Sequence, residues 1–461
     1  MTPKKVLVLG GGIAGLTAAN VLLARGAEVL LLEAGSRVGG NVRTIRRNGF
    51  LAESGPNSFL AEEKELYDFL RESGVLDKAI DVAPAAKKRF IVRGGKPLAV
   101  PSSPLQAITT PLFSFCGKLR LLGDIFLPRG NPETEESVAD FVRRRIGKEM
   151  YNYALNPLVA GVFAGDPEKL SVRYAFPKVW HLDQKYGSLI RGTFPNAKAK
   201  KNSGLYEKKR TLSFPEGMET LPKILAKNLG RRVRMNATLT ELVPEGNRWR
   251  ARWFTCGSVC DFFEQDDIFD AVVSAVPPRE WEKVFSAVPE LAEQLSPAAE
   301  TLVYPPVTTL TLGYKREQVA HPLDGFGALV PELEKREILG SLWTSSFFPG
   351  RAPDGSVVMT CYIGGSRQPE LARLSRDEQL KIARRELAAL FGVNGEPEFV
   401  EFCEHAEAIP QYNLGYGTFL KVIDDAEKAF PNLYFCGNYR SGIAVGATLL
   451  NAVRCGKSVA L

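Results

Sequence analysis

The chain begins with a short apolar run, Val6-Leu7-Val8-Leu9 after Lys4-Lys5, which the pattern predicts as a buried strand. A glycine turn, Gly10-Gly11-Gly12-Ile13-Ala14-Gly15, interrupts it, and helix formers at helical spacing follow over residues 16–25, with Gly26 as a stop. A second strand over residues 28–33 closes on Glu33. Each part has a job in holding a dinucleotide. Gly10 permits the tight turn, Gly12 lets a pyrophosphate approach the backbone, and Gly15 lets the helix pack on the strand. Free N–H groups at the helix start favour phosphate, and Glu33 can accept from a ribose hydroxyl.

Further along, residues 62–73 carry Leu66, Phe69 and Leu70 on one helical face, and residues 87–98 alternate around Gly94-Gly95 as a basic hairpin. An arginine in that hairpin could clamp a carboxylate bidentately. Residues 99–145 are short Pro-punctuated stretches rich in Leu, Ile and Phe, mixed with Lys118, Arg120 and Arg129. They read equally as segments lying in a bilayer interface and as a helical unit packed on itself. Residues 191–212, basic and rich in small polar residues, read as a mobile loop. Residues 233–242 and 269–277 read as strands returning to the nucleotide sheet, and 278–400 as a strand-rich second domain. The stretch 432–446 is again a strand, a glycine loop and a helix start, able to aim N–H groups at a cofactor.

Composition narrows the chemistry. A chain of 461 residues predicts two or three domains, and no apolar run reaches the length of a membrane span. The net charge of +7 is scattered and does not suggest nucleic acid. Seven cysteines, of which only Cys256 and Cys260 are close, suit a reducing compartment and form no metal motif. With only His181, His321 and His405 for histidine chemistry, a cofactor is expected to carry the reaction. The N-terminus leads straight into the first strand, so no leader peptide is expected.

The dinucleotide is identified by the next glycine pair. Glu33-Ala34, then Gly39-Gly40-Asn41-Val42-Arg43-Thr44, resembles the amine-oxidase-like flavoproteins, which bind FAD. The resemblance implies that this second loop wraps the phosphates and that Arg43 contacts the pyrophosphate. The loop Gly55-Pro56-Asn57-Ser58 follows closely enough to lie beside the flavin, and Gly437, Asn438, Ile443, Ala444 and Val445 bring the chain back to it.

A more specific resemblance appears in Asn156-Pro157-Leu158-Val159-Ala160-Gly161, and continues through Phe176-Pro177-Lys178-Val179-Trp180, Tyr186-Gly187-Ser188 and Phe214-Pro215-Glu216-Gly217. These segments resemble the oxygen-dependent protoporphyrinogen oxidase family. The resemblance implies an α/β fold, with a Rossmann-like FAD-binding domain of the amine-oxidase type, a mixed-sheet substrate domain and a helical membrane-associating domain. The expected boundaries are 1–86, 212–277 and 401–461 for the first, 87–100, 191–211 and 278–400 for the second, and 101–190 for the third. It implies that Asn57 and Gly161 lie at the reacting centre, Asn57 beside the flavin and a reacting bridge. Arg89 would pair with a propionate, the Gly161 backbone would touch the macrocycle, Leu329, Leu342 and Tyr362 would sandwich its rings, and Val233 would touch the adenine end.

The implied reaction is six-electron oxidation of protoporphyrinogen IX through non-covalent FAD to dioxygen, with three hydrogen peroxide molecules released. The implied setting is cytoplasmic, with peripheral membrane contact, room for a homodimer and handover of product to a chelatase. His405 departs from the family pattern, standing where relatives often carry a large aromatic before Ala408-Ile409-Pro410. Coproporphyrinogen III as substrate, an amine oxidase, a carotenoid-type desaturase and a non-catalytic FAD-binding scaffold remain open alternatives.

Overall fold

The computed structural model describes residues 3–256 and 262–461, so Cys260 lies outside the described residues. The first strand, β1 (Lys5–Leu9), the helix α1 (Ile13–Ala24) and the second strand, β2 (Glu28–Leu32), form the expected unit. They build a five-stranded sheet in the order Val233–Arg234, β2, β1, Ala271–Ser274, Leu433–Phe435, with every pairing parallel. A parallel sheet is covered on both faces, which explains the continuous apolar text of β1. Val6 and Val8 pack towards α1 and the C-terminal helix Val445–Ser458, while Leu7 and Leu9 face an aromatic cluster containing Trp249, Trp281 and Phe435.

A seven-stranded mixed sheet forms a second layer, in the order Phe399–His405, Val307–Lys315, Ser356–Gly364, Gly340–Leu342, Gly327–Leu329, Phe90–Arg93, Lys96–Ala99. Alternation assigns its two faces. Phe90, Leu310, Leu312, Ala328, Met359 and Cys361 pack with Ile382, Ala383 and Leu387 of the helix Arg376–Phe391. The opposite face carries Leu329, Leu342 and Tyr362, because Leu329 and Tyr362 both lie opposite Gly340, and Gly327, next but one to Leu329, pairs with Leu342.

Residues 104–202 are built mostly of short helices. Among them Lys148–Met150 runs through a π-helical turn, Tyr151–Leu155, into Asn156–Phe163. Pro157 has no N–H to offer the carbonyl four residues back, which favours the wider turn there. Arg145, fully buried, ion-pairs with Asp124 and Asp183 and ties this bundle together.

Two segments differ from the sequence reading. Residues 191–212 are not a loop: the helix Leu189–Asn202 leads into the strand Tyr206–Ser213. That strand pairs with Phe59–Glu63 and Ile80–Asp81, so it lies with the N-terminal segment and not in the seven-stranded sheet. Its partners are far away in sequence, and exposed basic side chains do not prevent backbone pairing. Residues 233–242 are not one strand either. Asn236, at φ 52°, turns the chain out of the nucleotide sheet, and Ala237–Glu245 starts a separate three-stranded antiparallel sheet.

Candidate active site

The nucleotide end is made by glycines that hold backbone against backbone. Gly10 adopts φ +98°, and its N–H donates to Leu32 O at 2.9 Å. A Cβ on Gly15 would run into Gly10 O, so only glycine allows α1 to start this close to the turn. The space beside Gly12 is open, and α1 starts there with no side-chain cap, leaving N–H groups for an anion. The Glu33 carboxylate accepts from Gly11 N–H and Gly35 N–H, each at 2.7 Å. This fixes the acid at the end of β2 while spare lone pairs remain for a ribose. Val233 is alongside, paired with Leu31 on the neighbouring strand.

The second glycine pair docks onto the first. Gly39 N–H donates to Gly11 O at 2.8 Å, and Gly40 has a positive φ of 56° beside Gly12 Cα. Ala34, Asn41 and Arg43 are exposed along this rim, and no carboxylate pairs with Arg43 among the described residues. At the other end, the helix Val445–Ser458 starts at Ala444, again with no side-chain cap. A Cβ on Gly446 would run into Leu60 O, so the helix start lies against backbone. Asn438 O accepts from the Tyr412 hydroxyl, and Ile443 is half-buried nearby in the chain. Two uncapped helix starts and an arginine without a carboxylate partner among the described residues can donate to phosphate, and the anchored acid can accept from a hydroxyl, an arrangement suited to a dinucleotide.

The loop from Glu53 to Asn57 joins this end to the second layer. Gly55 is required because a Cβ would lie 2.7 Å from Asn41 O. Ser54 O is held from the seven-stranded sheet by Thr309 Oγ1 at 3.1 Å and by His405 Nε2 at 2.6 Å. His405 thus fastens this loop. Asn57 is buried, and its Nδ2 donates to the Tyr362 hydroxyl at 3.1 Å. Burial pushes the Tyr362 phenol upward, against a smaller opposing effect of the Asn57 hydrogen bond, so the phenol stays protonated. Pro56 and Ser58 flank Asn57 in the loop.

Gly161 approaches from the third side. A Cβ there would run into Leu329 Cδ2, so the helix Asn156–Phe163 rests on the sheet at that point. Leu158 and Val162, beside Gly161, are exposed and give this helix an apolar free surface. Asn57, Tyr362, Gly161 and Leu329 therefore come from three regions and meet through two contacts. Arg89 is exposed just before the strand Phe90–Arg93, its guanidinium carbon 5.5 Å from the Phe326 ring centre. No carboxylate pairs with it among the described residues, whereas Arg93 is committed to Glu149 at 2.9 Å and stacks on Tyr153.

Sequence reasoning passed over Arg351 and Ser213. Arg351 Nη2 donates to Ser213 Oγ at 2.8 Å and to Phe214 O at 3.1 Å, and Ser213 Oγ donates to Asn57 O at 3.0 Å. Glu53 is 3.5 Å from Arg351 Nη1 and accepts from Thr44 Oγ1 at 2.6 Å and Met218 N–H at 2.8 Å. Burial outweighs these partners and pushes the Glu53 carboxyl up to about 7. Arg351 has no local sequence signature.

Comparison with known proteins gives the family. The profile of the flavin-containing amine oxidoreductases matches residues 13–460. Protoporphyrinogen oxidase 2, chloroplastic/mitochondrial, of Arabidopsis thaliana is 31% identical over 98% of this chain and 92% of its own. Coproporphyrinogen III oxidase of Bacillus subtilis is 27% identical over 96% of this chain and 95% of its own. A solved chain from Exiguobacterium sp. superposes with a TM-score of 0.79 at 23% identity, covering 100% of this chain and 99% of that one, which supports the fold alone. The chain belongs to the flavin-containing amine oxidoreductase family and, within it, to the porphyrinogen oxidases. It is an FAD-dependent oxidoreductase.

Proposed function

We propose that the chain oxidises protoporphyrinogen IX to protoporphyrin IX. Six hydrogens leave the macrocycle and three dioxygen molecules become three hydrogen peroxide molecules. FAD, when bound, would supply two-electron oxidation of the macrocycle in each turn and reoxidation by dioxygen. The observation that carries the reading is the meeting of an apolar sheet face, Leu329, Leu342 and Tyr362, with the buried Asn57 at the flavin loop. The macrocycle would lie against that face, next to the contact that the helix bearing Gly161 makes with Leu329. The protein's part is to orient it: Gly161 admits close approach, Asn57 and Tyr362 offer polar atoms beside a reacting bridge, and Arg89 takes a propionate.

Coproporphyrinogen III is the second reading, supported by the likeness to the Bacillus subtilis protein. Its four carboxylates would need more cations than the hairpin leaves free, since Arg93 is paired with Glu149 and Lys88 with Asp324. Parallel assays of both porphyrinogens, followed by porphyrin fluorescence, decide between them. The proposal expects the higher kcat/KM for protoporphyrinogen IX, and the reverse ratio transfers the reading to coproporphyrinogen III.

The setting proposed is a membrane surface. The segments Pro104–Thr109, Phe115–Leu122 and Gly123–Phe126 expose Leu105, Ile108, Phe115 and Phe126, the last two at 74% and 84%. No helix among the described residues is long and apolar enough to cross a bilayer, so these side chains would dip into an interface. Flotation with anionic vesicles tests this. The wild type is expected to float and Phe115→Ser/Phe126→Ser to stay behind, and equal behaviour contradicts the proposal.

A further inference from the structure

Arg351 is a hub connecting both ends of one loop. It is buried, 1% exposed, and its backbone carbonyl accepts from Leu51 N–H at 2.9 Å on the strand that leads into Glu53. Its Nη1 faces the Glu53 carboxylate at 3.5 Å, where the loop starts. Its Nη2 donates to Ser213 Oγ at 2.8 Å, and Ser213 Oγ donates to Asn57 O at 3.0 Å, where the loop ends. Asn57 Nδ2 then donates to Tyr362. A chain of polar contacts thus runs from a buried carboxylate, through a buried guanidinium and a hydroxyl, to the amide at the reacting face. Phe348 covers the guanidinium, its ring centre 5.3 Å away, which shields the hub from water.

A buried ion pair costs desolvation and is weak evidence for stability by itself. Here Ser213 links the guanidinium to the backbone of Asn57, the loop residue whose side chain donates to Tyr362. The pair also uses no exposed surface, so it serves neither solubility nor encounter with ligands. We propose that Glu53, Arg351 and Ser213 are positioning residues, which hold the Asn57 peptide so that its side chain stays aimed at Tyr362 and the reacting bridge. This rests on the porphyrinogen-oxidase reading for the role of Asn57, while the linkage itself belongs to the fold.

The direct test is a double-mutant cycle between Ser213→Ala and Asn57→Ala in the FAD-loaded enzyme. Ser213→Ala removes one hydroxyl and leaves the contacts of Arg351 with Glu53 and Phe214 O in place, so it is the variant expected to fold. The proposal expects Ser213→Ala to lower kcat about tenfold, with KM for protoporphyrinogen IX unchanged within about twofold. In the Asn57→Ala background the same substitution should change kcat by less than about twofold, because the residue being positioned is gone. Equal fold-losses in both backgrounds would mean that Ser213 acts only on general stability, and would overturn the proposal.

Two further readouts keep the result clear. The visible absorption bands of bound FAD are expected to shift in Ser213→Ala and in Arg351→Lys, but Ser213→Ala should add no shift to Asn57→Ala. Additive shifts contradict the linkage even if neither porphyrinogen is turned over. If the shifts are non-additive while porphyrinogen oxidation is absent in the wild type, the positioning device stands and the porphyrinogen reading of the site fails.

Discussion

Asn57 Nδ2 donates to the Tyr362 hydroxyl at 3.1 Å, which makes this pair a direct bond between the nucleotide-binding layer and the seven-stranded sheet. Tyr362→Phe would leave a buried amide donor unpaired, at a cost of about 1–3 kcal/mol. Asn57→Ala would leave the phenol unpaired at a similar cost. The double variant is expected to be less destabilised than the sum, with a coupling of about 1 kcal/mol in urea unfolding. Strict additivity would mean that the bond does not hold the layers together.

At Gly161 the prediction concerns substrate affinity. A Cβ there would run into Leu329 Cδ2, the end of a flexible side chain, so Leu329 would swing aside, into the space that the proposal gives to the substrate. Helix propensity gains up to about 1 kcal/mol from Gly→Ala, so the fold should survive. Gly161→Ala is expected to raise KM about tenfold with Tm within a few degrees of wild type, as read by steady-state kinetics and thermal scans.

Removing the Arg89 guanidinium should act on binding alone. The side chain has no carboxylate partner among the described residues, so Arg89→Ala strands no buried charge. KM should rise about 10-fold to 100-fold with kcat nearly unchanged, and Arg89→Lys should restore part of the affinity. A fall in kcat at constant KM would place Arg89 in a different role.

Glu53 gives stability a pH dependence. Its carboxyl is pushed from 4.5 to about 7, first by burial, against the Thr44 and Met218 hydrogen bonds and the Arg351 charge, with Glu219 adding to the rise. Arg46 and Glu216 are the other charges acting on Arg351. The folded chain therefore holds this proton more tightly than the unfolded chain. The contribution is fully present below about pH 4.5 and is lost as pH rises through about 7, amounting to about 3 kcal/mol. Glu53→Gln should flatten this slope in urea titrations at pH 4.5 to 8. An unchanged slope would assign the titration to another group.

The sequence made the nucleotide end legible because its determinants are local. Gly10, Gly15 and Glu33 act on neighbours within one strand-turn-helix-strand unit, so their spacing alone defines their geometry. The flavin cofactor and the oxidase family were likewise readable, from segments whose order along the chain is distinctive. What was hidden depends on distant partners. The strand Tyr206–Ser213 pairs with residues 59–63 and 80–81, and the basic text that suggested a loop says nothing of that pairing. Asn236 broke a stretch whose apolar pattern looked continuous. Arg351 reaches Ser213 across 138 residues, and His405 reaches Ser54 across 351, with no pattern in the intervening text. The placement of His405 on the Ser54 carbonyl shows a role that the comparison with aromatic-bearing relatives did not suggest.

The central claim is tested most directly by supplying the yellow, FAD-loaded protein in air with protoporphyrinogen IX while recording porphyrin fluorescence and hydrogen peroxide together. The account predicts porphyrin formation well above the enzyme-free rate, with three peroxide molecules per macrocycle. Bound FAD with no porphyrin above the control, from this substrate or from coproporphyrinogen III, would contradict it.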